Sequence, residues 1–114
     1  MKEDFLQKLF DLVEERKNST SKDSYVKSLF DAGHQKINEK VLEESLELLE
    51  ATLDTSNSKQ EKVIHETADL WFHTLILLSN ENIKLEEIIS ELESRFGTSG
   101  HLEKASRSSS EEEK

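Results

Sequence analysis

The stretch Lys36–Glu47, KINEKVLEESLE, decides how the rest of the chain reads, and Glu66–Asp69, ETAD, answers it. Residues three and four apart share a helix face. Lys36, Lys40, Glu43, Glu47 and Glu50 therefore line one stripe, with Glu44 flanking it one turn above Lys40. Lys62, Glu66, Asp69 and His73 line a second stripe. Between them lies a polar break, Asp54–Ser58, which reads as the turn of a helical hairpin. Counted from Ser56, Glu47 lies nine residues back and Glu66 ten ahead, while Glu43 and Asp69 are each thirteen away. An antiparallel pair brings four or five carboxylates to one height. Such a cluster is costly, because like charges repel and burial disfavours the ionised form.

A divalent cation removes that cost. All-oxygen ligands suit a hard ion such as Mg²⁺, which keeps some waters and reaches out to phosphates. Lys36 and Lys40 would then face those phosphates. The plainer alternative is a solvated, Glu-rich helix face with no role. Against it, the pairs Glu14-Glu15 and Glu86-Glu87 do not extend to EExxE, and ExxD occurs once. The two motifs also fall level across one turn.

Composition sets the class. The chain has 114 residues, no proline, three glycines and 35% charged residues, which predicts one all-α domain. Only 33% of residues are hydrophobic, a thin core for a monomer, so association between copies is expected. Without cysteine there is neither a disulfide framework nor thiol chemistry. A net charge of −10 argues against nucleic acid as a partner, though metal ions and local lysines can reverse the sign within a pocket. The N-terminus, MKEDFLQKLF, does not read as a signal sequence. The longest apolar run, Leu70–Leu78, is too short to span a bilayer, so a cytoplasmic protein is expected.

Taken in order, residues 2–16 put Phe5, Leu6, Leu9, Phe10, Leu12 and Val13 on one face, with Arg16 as a closing charge or a phosphate contact. Residues 17–23 have loop composition. Ser24 caps a short helix packed down by Tyr25, Leu29 and Phe30 and stopped by Gly33. The helix from His34 to Leu53 carries more apolar surface (Ile37, Val41, Leu42, Leu46, Leu48, Leu49, Leu53) than one packing face needs, which predicts cover on two sides. Ser58 and Glu61 form a capping-box pattern opening a helix to Ser79. Its second half, LWFHTLILL, is expected at the centre, with Trp71 and Phe72 as core. His73 reads first as a satisfied core histidine and second as a partner of the carboxylates. His34, His65, His73 and His101 lack zinc-ligand spacing. Leu85, Ile88, Ile89 and Leu92 predict the inner face of a helix ending at Gly97. Residues 98–107 predict a further short helix, and 108–114 a disordered acidic tail. The domain is thus 1–107.

Several segments together resemble one family. They are Ser24-Tyr25 before Leu29, Gly33 with Lys36-Ile37 and Lys40-Val41, and then Glu43-Glu44 with Glu47. Glu66-Thr-Ala-Asp69-Leu-Trp-Phe-His73 follows, then Arg95-Phe-Gly97-Thr-Ser-Gly100 and Glu103-Lys104-Ala105 with Arg107. The chain is similar to the phosphoribosyl-ATP pyrophosphohydrolases of histidine biosynthesis, in the all-α, MazG-like nucleotide pyrophosphohydrolase group. It departs at Leu42, where the family has a small residue, at Ser45, where alanine is usual, and in lacking a proline before the Ser-Tyr pair. The resemblance implies a homodimer that hydrolyses phosphoribosyl-ATP to phosphoribosyl-AMP and pyrophosphate. Glu44, Glu47, Glu66 and Asp69 would hold Mg²⁺, with Glu43 a ligand or supporting base and Lys36 and Lys40 on the substrate phosphates. A house-cleaning nucleoside triphosphate pyrophosphohydrolase shares the metal motifs and is the alternative. A helical adaptor that binds no metal is the third reading.

Overall fold

The computed structural model describes residues 2–20 and 24–97. Among them run five helices and no strand: α1 Lys2–Lys17, α2 Tyr25–Ala32, α3 His34–Ala51, α4 Lys59–Asn80 and α5 Leu85–Phe96. The all-α expectation holds. The helix expected within 98–107 and the tail 108–114 lie outside the described residues, as do Met1 and positions 21–23. The first 83 residues form one compact unit holding α1–α4, and α5 belongs to a second.

The frame of the first unit is the α3–α4 hairpin, with α1 against α4 and α2 bridging α1 and α3. Its turn forms because short polar side chains satisfy the backbone locally. Asp54 Oδ1 accepts from the Ser56 N–H at 2.8 Å, its other oxygen pairs with Lys62, and the Ser58 N–H donates to Ser56 Oγ at 3.2 Å. The capping box expected from Ser58 and Glu61 does not form. Ser58 stands at the N-cap, but its hydroxyl bonds Ser56 Oγ at 3.0 Å, so no side chain caps that end.

Between α2 and α3, Gly33 adopts φ 103°, ψ 173°, a conformation that only glycine enters without strain. One residue thereby ends α2 and turns the chain into α3. Ser24 caps α2 as expected, its hydroxyl accepting from the Lys27 N–H at 3.1 Å. At the far end of α4, Asn82 takes the left-handed conformation at φ 61°. Its N–H bonds Ser79 O, and the Ile83 N–H bonds Leu78 O, closing the helix.

Val13, Val26, Leu29, Ile37 and Ile76 make the core, with Phe30, Phe72 and Leu77 packed against it. Full burial of a side chain such as Ile37 or Ile76 stabilises by about 1.5–3 kcal/mol. The sequence overstated two faces. On α1, Phe10 and Val13 are buried but Phe5 and Leu12 are exposed, because the apolar arc is wider than the contact. On α2, Val26 takes the inward position assigned to Tyr25, whose ring is half exposed. Leu42, Leu46 and Leu49 of α3, Leu53 just beyond it, and Ile64 and Trp71 of α4 are exposed in the single chain.

In the second unit, α5 begins where the Glu87 carboxylate accepts from the Lys84 N–H at 3.0 Å. Only Leu85 of its expected inner face is buried; Ile88, Ile89 and Leu92 are exposed. Among the described residues, no helix is long and apolar enough to cross a membrane.

Candidate active site

Helix α3 buries Ile37, Glu44 and Ala51, three residues seven apart, against α4. Two are apolar and one is a carboxylate, so the packing that builds the hairpin also draws Glu44 inside, to 6% exposure. From α4, Glu66, Asp69 and His73 arrive on one stripe, with Ile76 below them. Carboxylate oxygens of Glu44, Glu47 and Glu66 lie within 4.8 Å of one another, and His65, Glu66 and Asp69 form an adjoining group of the same tightness. Glu66 is common to both.

Electrostatics make the centre unusual. Glu44 Oε1 and Glu66 Oε1 are buried and accept no hydrogen bond. An unpaired buried oxygen of this kind costs about 1–3 kcal/mol, and more when charged. Burial raises the Glu44 pKa above the usual carboxylate range, with the charges of Glu47 and Asp69 adding to it. Burial likewise raises Glu66, helped by Glu47. The nearest cation, Lys40, approaches Glu44 Oε2 only to 3.8 Å, because its ammonium is bound to Glu43 at 2.9 Å. That hydrogen bond holds the Glu43 carboxyl low and Lys40 high.

The sequence stripe is therefore partly re-sorted. Glu44, which flanked it, is central; Glu43 points outward to Lys40 and stays outside the converging group. Glu47 and Glu66 converge as read, Asp69 adjoins them through Glu66, and Lys36 is exposed one turn before Lys40. His73 is buried, as a core histidine should be, and also touches the site. Its Nδ1 lies 2.8 Å from the Asp69 carbonyl and its Nε2 2.7 Å from the Tyr25 hydroxyl.

Two residues escaped the sequence reading. His65, set aside for want of zinc spacing, places Nε2 3.3 Å from Asp69, and its i,i+4 step to Asp69 was the available signal. The Tyr25 hydroxyl had no local signal. Beside the centre, toward the hairpin turn, opens a groove of about 690 Å³ lined by Glu47, Glu50, Ala51, Leu53, Asp54, Lys62 and Glu66.

An all-oxygen centre with orphaned buried oxygens could hold a hard cation together with the phosphates it carries. Fold and centre thus set the class in outline: an all-α protein with a cluster of converging, partly buried carboxylates. The family is specific. The model of the phosphoribosyl-ATP pyrophosphohydrolase family matches residues 6–96, and the chain belongs to that family. It is 49% identical over 105 residues to the phosphoribosyl-ATP pyrophosphatase of Vesicomyosocius okutanii subsp. Calyptogena okutanii (strain HA), covering 92% of this chain and 97% of that one. To the phosphoribosyl-ATP pyrophosphatase of Ruthia magnifica subsp. Calyptogena magnifica it is 46% identical over 104 residues, covering 91% and 96%.

Proposed function

We infer that this chain hydrolyses phosphoribosyl-ATP to phosphoribosyl-AMP and pyrophosphate, the second step of histidine biosynthesis. The observation that carries the reading is identity of nearly one half to a phosphoribosyl-ATP pyrophosphatase across 97% of its length. The converging carboxylates supply the chemistry.

The products require cleavage between the α- and β-phosphates, with water adding to phosphorus and pyrophosphate leaving. Glu44, Glu47 and Glu66, with Asp69 adjoining, would hold Mg²⁺; the two orphaned oxygens are what such an ion satisfies. When bound, the ion supplies charge neutralisation on the triphosphate and a more acidic water. A carboxylate of the cluster accepts the water's proton. Lys40, held by Glu43, and Lys36 one turn away face the departing pyrophosphate and offset its charge. Glu43 thus acts through Lys40. The groove beside Glu47 and Glu66 has room for the rest of the nucleotide.

The protein works as a homodimer in the cytoplasm. Leu42, Leu46 and Leu49 recur at helical spacing along α3 and, with Leu53 just beyond its end, are exposed in one chain, the surplus surface a second copy would cover.

The experiment is pyrophosphate release with Mg²⁺ from phosphoribosyl-ATP beside dUTP, dCTP and ATP. Selective turnover of phosphoribosyl-ATP is expected. Preference for a nucleoside triphosphate would move the chain to a house-cleaning role, and no release at all would leave a non-enzymatic protein.

A further inference from the structure

Tyr25 bears no charge, yet two hydrogen bonds in series tie it to the acidic centre. His73 Nδ1 faces the Asp69 carbonyl, which can only accept, so Nδ1 carries the proton. In the neutral ring Nε2 is then an acceptor, and the Tyr25 hydroxyl must donate to it across 2.7 Å. The two rings meet edge to face, with centroids 5.8 Å apart and planes at 87°. Phe72 closes on the imidazole from another side at 5.4 Å. The imidazole therefore has one orientation and one tautomer.

The carbonyl it grips belongs to the turn of α4 that presents Glu66 and Asp69. That carbonyl is also placed to receive the main-chain N–H of residue 73, so the side chain adds a second donor to it. At the other end, Tyr25 opens α2 directly after its cap Ser24, while Val26 and Leu29 bury the helix in the core. The hydroxyl therefore reaches out from an anchored element. Half of the Tyr25 surface is exposed, so packing alone does not explain this residue; its oxygen has the specific partner.

We propose that Tyr25 is a positioning residue for the carboxylate centre. Through His73 it fixes the turn of α4 that bears Glu66 and Asp69, and so sets the centre's affinity for its cation. This rests on the reading that the carboxylates hold a divalent cation. In this role Tyr25 acts through the imidazole.

The test uses the full chain and Mg²⁺ alone, titrated calorimetrically into the wild type and Tyr25→Phe, which removes one oxygen and keeps the ring. Mg²⁺ binding is expected to weaken about tenfold or more, the usual effect of losing an outer partner of a metal site. Activity should fall at low Mg²⁺ and recover as Mg²⁺ is raised, with KM for phosphoribosyl-ATP little changed at saturating Mg²⁺. A tether that only stabilised the fold would lower the melting temperature and leave Mg²⁺ affinity alone; equal affinity in the two proteins overturns the proposal. If the wild type binds no Mg²⁺, the cation reading fails and the proposal with it. If the wild type binds and the variant binds equally well, the proposal alone fails. A second measurement needs no variant: the ¹⁵N shifts of the His73 ring should report a protonated Nδ1 and a bare Nε2. The opposite tautomer would break the chain of bonds and overturn the proposal.

Discussion

Two polar clusters bear on helix α4, one at its C-terminal end and one in its N-terminal half, and they are satisfied very differently. At its C-terminal end Ser79 is wholly buried, its hydroxyl donating to Glu14 Oε2 at 2.6 Å. Lys17 donates to the Ser79 carbonyl at 2.7 Å, to Asn82 Oδ1 at 3.4 Å, and lies 3.7 Å from Glu14. Every charge there has an opposite, and its ammonium also stands 5.8 Å from the Phe30 ring centroid. Toward the other end, Glu44 and Glu66 each bury an oxygen with no partner, beside Glu47 and Asp69 of the same sign. The first cluster fastens α1 to α4. The second is a cost the fold carries, of the kind expected where a ligand is to be held.

The contrast breaks most sharply at Glu47. Glu47→Gln should abolish turnover of phosphoribosyl-ATP while leaving the helical circular dichroism intact; retained activity would remove Glu47 from the site. Glu44→Gln carries the comparison into stability. A carboxyl whose pKa is raised by folding favours the folded state when protonated, and that contribution is lost as pH rises through the folded pKa. Wherever Glu44 is ionised and no metal is bound, its charge therefore opposes folding. The neutral amide should raise the metal-free melting temperature by a few degrees and cancel the stabilisation Mg²⁺ gives the wild type. A lower melting temperature would show that the Glu44 charge is compensated.

At the satisfied end the sign reverses. Ser79→Ala should destabilise the protein by about 1.5–3 kcal/mol in denaturant unfolding, as expected for a hydrogen bond to a charged group. Turnover and Mg²⁺ binding should be unchanged, and a loss of activity would blur the division between the two ends. The smallest effect belongs to the hairpin turn. Hydrogen bonds from Lys62 and the Ser56 backbone pull the Asp54 carboxyl from 3.8 to about 2. A depressed carboxyl stabilises above its unfolded pKa and ceases to do so as pH falls through the folded one. Asp54→Asn should therefore flatten the acid side of the stability profile between those two values, and an unaltered profile would mean the turn holds without the charge.

Much of this was legible in the chain. Helix-forming composition, the absence of proline, the polar break at 54–58 and the glycines at 33 and 97 placed all five described helices within two residues of their observed ends. Local signals sufficed there, because a helix is built from contacts within one turn. The level of the carboxylates across the turn was also readable, since a hairpin converts equal sequence distance into equal height. Less legible was which acid points inward. The charged stripe favoured Glu43, whereas the heptad step Ile37–Glu44–Ala51 held the answer for anyone weighing the apolar neighbours first.

What the sequence determined alone, then, was the helices, their pairing and the family to which the motifs belong. What tertiary structure decided was which groups are paired and which are stranded. Lys40 goes to Glu43 rather than Glu44, His73 links Tyr25 to the Asp69 carbonyl, and two oxygens are left without donors. Pairing and burial depend on side chains meeting across elements distant in the chain, and a local pattern does not encode those meetings.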